Sequence, residues 1–261
     1  MRRILIVAAH PDDESFMAGG TIAKYIDSGW QVDLVTATRG EEGQRGPLVQ
    51  LARAKVGDVR QKELENACTV LGIHSITFLG YKDGTLSDRT PGDIEDAVHK
   101  KIMELVPDIV ITADTTGISN HPDHIKLSYA TTYAFQKYAK WIEQELKSQE
   151  PEEQVFPKLY YACIPASIVA FAIKEKTHLP ESFGKPWQGV PDKKVTTVID
   201  ISDYSEIKEK ALRCHVTQTK DVDRSLSIPG RPLMKHEYFI FRMHGTTEVF
   251  MGKNDHVAEN L

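Results

Sequence analysis

The chain has 261 residues, of which 41% are hydrophobic, so it is long enough to bury a substantial core. Its 32 lysines and arginines against 37 aspartates and glutamates give a formal net charge of −5, without the basic surface that nucleic acids and anionic membranes attract. Three widely spaced cysteines argue against a disulfide framework or a cysteine metal site, and no apolar stretch approaches membrane-spanning length. We therefore expect a cytoplasmic protein with no nucleic-acid or membrane partner.

Short apolar runs alternate with helical periodicity through the first half of the chain. We predict strands at residues 3–8, 31–36, 76–79 and 108–112. Helices are predicted between them, at residues 16–28, 59–71 and 91–105. This alternation is typical of βαβ units, in which helices cover a parallel sheet.

The second half of the chain continues this pattern less regularly. We predict a helix over 125–149 and a loop over 148–154, then strands at 158–163 and 195–199 and a helix at 202–214. Phe239 and Phe241 alternate as in a strand, whereas residues 177–194 carry three prolines and two glycines, which indicates a surface loop that could serve as an active-site lid. The predicted fold class is α/β: a single Rossmann-like domain over residues 1–261 with a mostly parallel sheet, a core of about 1–147 and appended elements over 148–261.

Two clusters of histidine and acid follow two of the predicted strands. The first strand runs into "AAHPDDESF", which supplies His10 to Glu14, and the fourth is followed by "NHPDH", Asn120 to His124. In open parallel sheets, ligands bind beyond the carboxyl ends of the strands. Ordinary helix capping is the alternative, since Asp is a good cap, Pro11 and Pro122 suit a first turn, and the helix dipole favours acids there. The coincidence of both clusters at one sheet edge favours a functional site.

The residue types in these clusters suit a metal. Two imidazoles and one carboxylate form a three-ligand set that zinc accepts, with a fourth position left for water, as in catalytic zinc sites. Iron(II) and other divalent ions could use the same ligands. A neighbouring carboxylate that does not bind metal could accept a proton from the bound water.

The pair of motifs "AHPDDE" and "HPDH" resembles those of the LmbE-like or PIG-L-type zinc-dependent N-acetyl deacetylases, which include enzymes of mycothiol and bacillithiol synthesis. The similarity in layout extends from Arg3 to about His124. The resemblance implies a hydrolase with one zinc per chain, acting on a small N-acetylglucosamine-type conjugate to release acetate and a free amine. It also makes a homo-oligomer plausible.

Carried over residue by residue, the resemblance implies that His10, Asp13 and His124 bind the metal. Asp12 would be the general base, and His121 would assist the oxyanion or protonate the leaving amine.

The resemblance also implies roles around these residues, with one departure. Asp123 would orient His121, and Glu14 would support the site without binding metal. Some sugar-conjugate deacetylases carry a tyrosine or arginine just before the second motif, where this chain has Ser119 and Asn120. Any help those side chains give to the reaction intermediate must come from elsewhere or be absent here.

Three further residues are candidates for substrate binding, each with a structural alternative. Arg60, in an "R..EL..A...LG" pattern, lies beside the substrate in the family, but it could equally be a solvated helix charge. Asp83 in "GYKDG" could bind sugar hydroxyls or simply form an Asp-Gly turn. His215, with Gln218 in "CHVTQ", resembles a family "H.SQ" feature, although a histidine is also favourable at a helix end.

Two other functions compete with deacetylation. The first is a metal-dependent hydrolase of another amide or an ester. The second is a non-catalytic Rossmann-like nucleotide-binding module. Its case is weak because the first strand-helix turn lacks GxGxxG, although Gly19 and Gly20 lie inside the first predicted helix.

Overall fold

The first five strands of the sheet are parallel and place the amino-terminal strand near the centre. The computed structural model describes residues 2–150, 154–251 and 256–261. The parallel strands are β1 (Arg3–Ala8), β2 (Gln31–Thr36), β3 (Ser75–Phe78), β4 (Ile109–Ala113) and β5 (Lys158–Cys163). Their spatial order is β3-β2-β1-β4-β5, so the chain moves outward in one direction from β1 to β3 and in the other from β4 to β5. The direction changes between β1 and β4, where an open α/β sheet forms its ligand crevice.

Antiparallel strands from the last third of the chain extend the sheet beyond β5. Strand β9 (His236–His244) pairs with β5, and its other edge pairs with β8 (Thr197–Asp200) and β10 (Thr247–Glu248). A separate two-stranded hairpin is formed by β6 (Glu181–Ser182) and β7 (Lys185–Pro186).

Helices cover both faces of the sheet, which explains why the central strand β1 is apolar from Ile4 to Ala8. In β1, Ile4 and Ile6 pack on one face, whereas Leu5 and Val7 pack on the other. The helices are α1 (Asp13–Asp27), α2 (Val56–Leu71), α3 (Asp93–Leu105), the short α4 (Gly117–Asn120), α5 (Pro122–Glu145), α6 (Ala166–Lys174), α7 (Ser205–Cys214) and α8 (Thr219–Leu226). Helices α1, α2 and α7 pack together, and α3 packs on α5.

The predicted α/β fold with a mostly parallel sheet is confirmed. The strands at 3–8, 31–36 and 158–163 have the predicted bounds, whereas α1 and α5 each begin three residues earlier than predicted. Residues 151–153 of the loop predicted at 148–154 lie outside the described residues. Among the described residues, no helix has both the length and the apolar character needed to cross a membrane.

Candidate metal and catalytic site

The two histidine-acid clusters meet because β1 and β4 are hydrogen-bonded neighbours. Their register runs from Ile4 opposite Ile109 to Val7 opposite Thr112, so the segments that follow both strands emerge at the same edge of the sheet. This edge is the point at which the strand order reverses.

Three potential metal ligands converge at this edge. His10 Nδ1 lies 3.1 Å from His124 Nε2, which is 3.2 Å from Asp13 Oδ1. His10 Nδ1 lies 3.8 Å from Oδ2, the other oxygen of the Asp13 carboxylate. Ligand atoms about 2.1 Å from a tetrahedral zinc would lie about 3.4 Å from one another, so the two separations that involve His124 fit such an ion. The backbone N–H groups of Ala9 and His10 both donate to Asp13 Oδ2 at 2.9 Å, which fixes the carboxylate in place.

The other ring nitrogen of His10 faces two carboxylates. His10 Nε2 lies 3.0 Å from Asp83 Oδ1 and 3.3 Å from Asp123 Oδ2. Asp123 is itself held by the backbone N–H groups of Gly84 and Leu86, at 2.7 and 3.1 Å. Although burial favours neutral imidazole, hydrogen bonds to Asp123 and Asp83 raise the pKa of His10 to about 10. At this pKa both ring nitrogens carry protons at neutral pH without a metal, and loss of the Nδ1 proton, while the carboxylates hold Nε2–H, would free Nδ1 to bind one.

Asp12 lies next to the ligands in an unusual backbone conformation, with φ 110°. Arg60 Nη2 donates to its Oδ2 at 3.1 Å, and Arg60 Nη1 donates to the carbonyl of Gly40 at 3.0 Å. Burial raises the pKa of Asp12 to about 6, while the charge of Arg60 opposes the rise. Because Arg60 is 3% exposed, the alternative of a solvated helix charge is wrong. A side chain on Gly40 would collide with the guanidinium, which explains the glycine in that loop.

His121 lies over the ligands, with its ring 4.7 Å from that of His124 and 4.4 Å from that of Phe183. Its Nδ1 accepts the backbone N–H of Asp123 at 3.2 Å, so its proton lies on Nε2 when the ring is neutral. Burial, together with the charges of His124 and His10, lowers the pKa of His121 to about 4. The contact between Asp123 and His121 is made by the backbone N–H of Asp123, whereas its carboxylate contacts His10.

Glu14 and His215 form a buried pair behind Asp12. His215 Nε2 lies 3.0 Å from Glu14 Oε1, and Glu14 Oε2 accepts the backbone N–H of Asp12 at 3.0 Å. Neither side chain has any exposed surface. The predicted contact of His215 with substrate is therefore wrong. His215 instead contacts Glu14, which holds the backbone of Asp12.

Comparison with known proteins agrees with the motifs. The model of the family "PIG-L: GlcNAc-PI de-N-acetylase" matches residues 5–135. The chain belongs to this family. A PIG-L relative from Thermobifida fusca, named 1D-myo-inositol 2-acetamido-2-deoxy-alpha-D-glucopyranoside deacetylase, is 36% identical over 244 residues, which cover 83% of each chain.

Solved structures of other proteins have the same fold as this PIG-L family member. The N,N'-diacetylchitobiose deacetylase from Pyrococcus horikoshii matches with a TM-score of 0.65 at 21% identity, covering 94% of this chain and 84% of that one. GalB, the 4-carboxy-2-hydroxymuconate hydratase of Pseudomonas putida, matches with a TM-score of 0.62 at 21% identity, covering 96% and 100%. Because a deacetylase and a hydratase share the architecture, the chemistry must be argued from the site itself.

In this PIG-L chain the clustered residues form the floor of a cavity of about 810 Å³, which Arg60 and Asp83 also line. Several residues between 178 and 187, within the segment predicted as a loop, also line the cavity. Asn120 Nδ2 donates to the carbonyl of Pro186 at 3.1 Å, and Trp187 Nε1 donates to that of Ile118 at 2.8 Å. Sequence reasoning missed these contacts, because they join α4 to a segment about sixty residues later.

Proposed function

We propose that the chain is a metal-dependent hydrolase that removes the N-acetyl group from an N-acetylglucosamine-type conjugate and releases acetate and a free amine. The observation that carries the proposal is the position of Asp12, an oriented carboxylate beside a three-ligand donor set on the floor of a substrate-sized cavity. The name of the Thermobifida fusca relative supports the same bond and the same type of sugar.

His10, Asp13 and His124 are the residues we propose to hold the metal. Zinc fits their mixed imidazole and carboxylate set, and iron(II) could use the same ligands. A bound divalent cation would polarise the acetyl carbonyl and lower the pKa of a bound water.

Asp12 would act as the general base of the reaction. Arg60 holds one of its carboxylate oxygens, and the other can take a proton from the attacking water. With its pKa raised by burial to about 6, Asp12 is ionised at neutral pH yet basic enough to receive that proton. The water oxygen bonds to the carbonyl carbon, and as the C–N bond then breaks, the proton passes from Asp12 to the leaving nitrogen. The second water proton remains on acetic acid, which ionises at neutral pH, so that the products are acetate and the protonated amine.

His121 would stabilise the negative charge that develops on the carbonyl oxygen. Its Nδ1 is occupied by the N–H of Asp123, so the Nε2–H is the group that can donate to that oxygen. Of the two roles considered for His121, the low pKa favours hydrogen-bond donation over proton transfer to the amine.

The geometry weakens the alternative of a nucleotide-binding module. A side chain at Gly20 would come within 2.5 Å of Ile201, and one at Gly19 within 3.3 Å of Lys208. These glycines therefore allow α1 to pack closely against neighbouring side chains. This packing explains why glycine stands at both positions, so no phosphate ligand is needed to explain it.

The test is a stoichiometric product assay with the zinc-loaded protein and a panel of N-acetylglucosamine conjugates, with other amides and esters alongside. We expect free amine and acetate in equal amounts from the sugar conjugates. Asp12→Asn should keep its metal but lose at least about 100-fold in kcat, because a general base contributes that much. His124→Ala should lose both metal and turnover.

The control for charge removal is Asp203→Asn, at an exposed aspartate outside the cavity. It should retain wild-type turnover. An Asp12→Asn protein that still turns over at the wild-type rate would contradict the base assignment, and preferential cleavage of an ester or an unrelated amide would contradict the substrate class.

A further inference from the structure

The cavity extends well beyond the metal ligands. Its volume of about 810 Å³ is in the upper part of the range, roughly 300–1,000 Å³, that accommodates drug-sized ligands. An amino sugar placed with its acetamido group at Asp12 leaves much of this space for whatever the sugar carries.

Part of the wall of this remaining space is apolar and accessible. It includes the half-buried side chains of Ile164 after β5, Ile168 of α6 and Leu233 from the segment before β9. These side chains come from different elements of the second half of the chain. Such a wall favours a ligand that buries hydrocarbon there.

Two exposed side chains that line the cavity are apolar as well. Leu179 and Phe183 are 71% and 55% exposed although both are large hydrophobic residues. Exposed apolar side chains beside a ligand cavity are explained when a ligand covers them.

The cations of the cavity are already neutralised. Among the described residues, each lysine and arginine that lines it has a carboxylate partner: Arg60 with Asp12 at 3.1 Å, Lys208 with Glu237 at 2.6 Å, and Arg224 with Asp221 at 3.2 Å. The ammonium group of Lys208 also donates to the carbonyl of Phe16. An anionic aglycone would therefore find no uncommitted lysine or arginine to pair with.

We infer that the substrate of this chain carries a neutral, apolar aglycone, an alkyl or aryl group that lies along the apolar part of the wall formed by the segment after β5, α6 and the segment before β9. The inference rests on the proposed deacetylation and names the substrate class within it. It sets this chain apart from relatives whose printed substrate carries a polyol such as inositol.

The test uses the zinc-loaded full chain and N-acetylglucosaminides of one anomer with methyl, butyl, hexyl and octyl aglycones, below their micellar concentrations. Conjugates with myo-inositol and with malate provide a polyol and an anionic aglycone. We expect kcat/KM for deacetylation to rise about two- to fourfold per methylene, as expected for burial of each CH₂, until the wall is covered. The inositol and malate conjugates should react no better than the methyl glycoside.

A matched pair of variants locates the effect. Ile168→Asn places an amide on the apolar wall and should flatten the dependence on chain length. Ala170→Asn, on the exposed side of the same helix, should keep it. Equal kcat/KM for all alkyl chains, or a preference for inositol or malate, would overturn the inference while leaving deacetylation intact. Failure to deacetylate every sugar conjugate would overturn the proposed function, and the inference with it.

Discussion

At the scale of single residues, the two ring nitrogens of His10 face different groups. Nδ1 belongs to the donor set with Asp13 and His124, and Nε2 faces Asp83 and Asp123. Carboxylates that accept a hydrogen bond from a metal-binding histidine fix its tautomer and strengthen its binding to the metal. Asp83, predicted to bind sugar hydroxyls, therefore lies where it can orient His10 and so affect metal binding.

This contact yields a prediction for Asp83→Asn. Because the variant replaces one carboxylate on His10 by a neutral amide, we expect metal affinity to fall about 10- to 100-fold. Competition with a chelator, followed by metal analysis of the protein, measures the change. Asp88→Asn, at an exposed aspartate of the same segment, should bind metal as the wild type does. Unchanged affinity in Asp83→Asn would show that Asp123 alone orients His10.

The motifs predicted which residues meet, but not how they are supported. Two short segments, which follow adjacent strands, contain the residues that meet. The first holds His10, Asp12 and Asp13, and the second holds His121 and His124. The supporting contacts join distant parts of the chain and carry no local pattern, which is why sequence reasoning assigned several of them to substrate.

At the scale of elements, the strands were easier to predict than the starts of the helices. β1 and β5 are buried on both faces, and both are mainly apolar segments with clear ends. α1 and α5 begin inside the two polar clusters, at Asp13 and Pro122. Helical periodicity could not reveal these starts, because the first turns contain site residues in place of apolar ones.

A buried ion pair connects α7, β9 and α1. Lys208 of α7 contacts Glu237 of β9 at 2.6 Å, and the carboxylate also accepts the backbone N–H groups of Gly20 and Thr21 in α1. Both side chains are 2% exposed. Loss of one partner leaves the other charge buried without compensation.

We therefore expect Glu237→Gln to lower the free energy of unfolding by about 3 kcal/mol. The double variant Lys208→Met/Glu237→Gln should recover part of the loss, since it removes the isolated cation as well. Denaturant unfolding measures both. Asp223→Asn, which breaks an exposed pair with Arg213, should cost less than about 1 kcal/mol. A Glu237→Gln variant as stable as the control would mean that the pair has little net effect on stability.

At the scale of the whole molecule, the parallel core and the appended elements both contribute to the cavity. The first half supplies the clusters on its floor, while β5, α6 and the segments up to β9 supply most of the apolar wall. The alternation of strands and helices in the sequence predicted a mostly parallel sheet. It could not predict that β9 pairs with β5, because that contact depends on the return of the chain after a long, irregular segment. The division near residue 147 and self-association both remain predictions.

The central claim is metal-dependent deacetylation at the site formed by the two clusters. The most direct measurement is acetate release from an N-acetylglucosamine conjugate by chelator-treated protein during titration with zinc. We expect activity to rise with added zinc and to level off at one equivalent per chain, with no activity at any zinc level in His10→Ala/His124→Ala. Acetate release that persists in the chelated protein, or its absence when one zinc is bound per chain, would contradict the account.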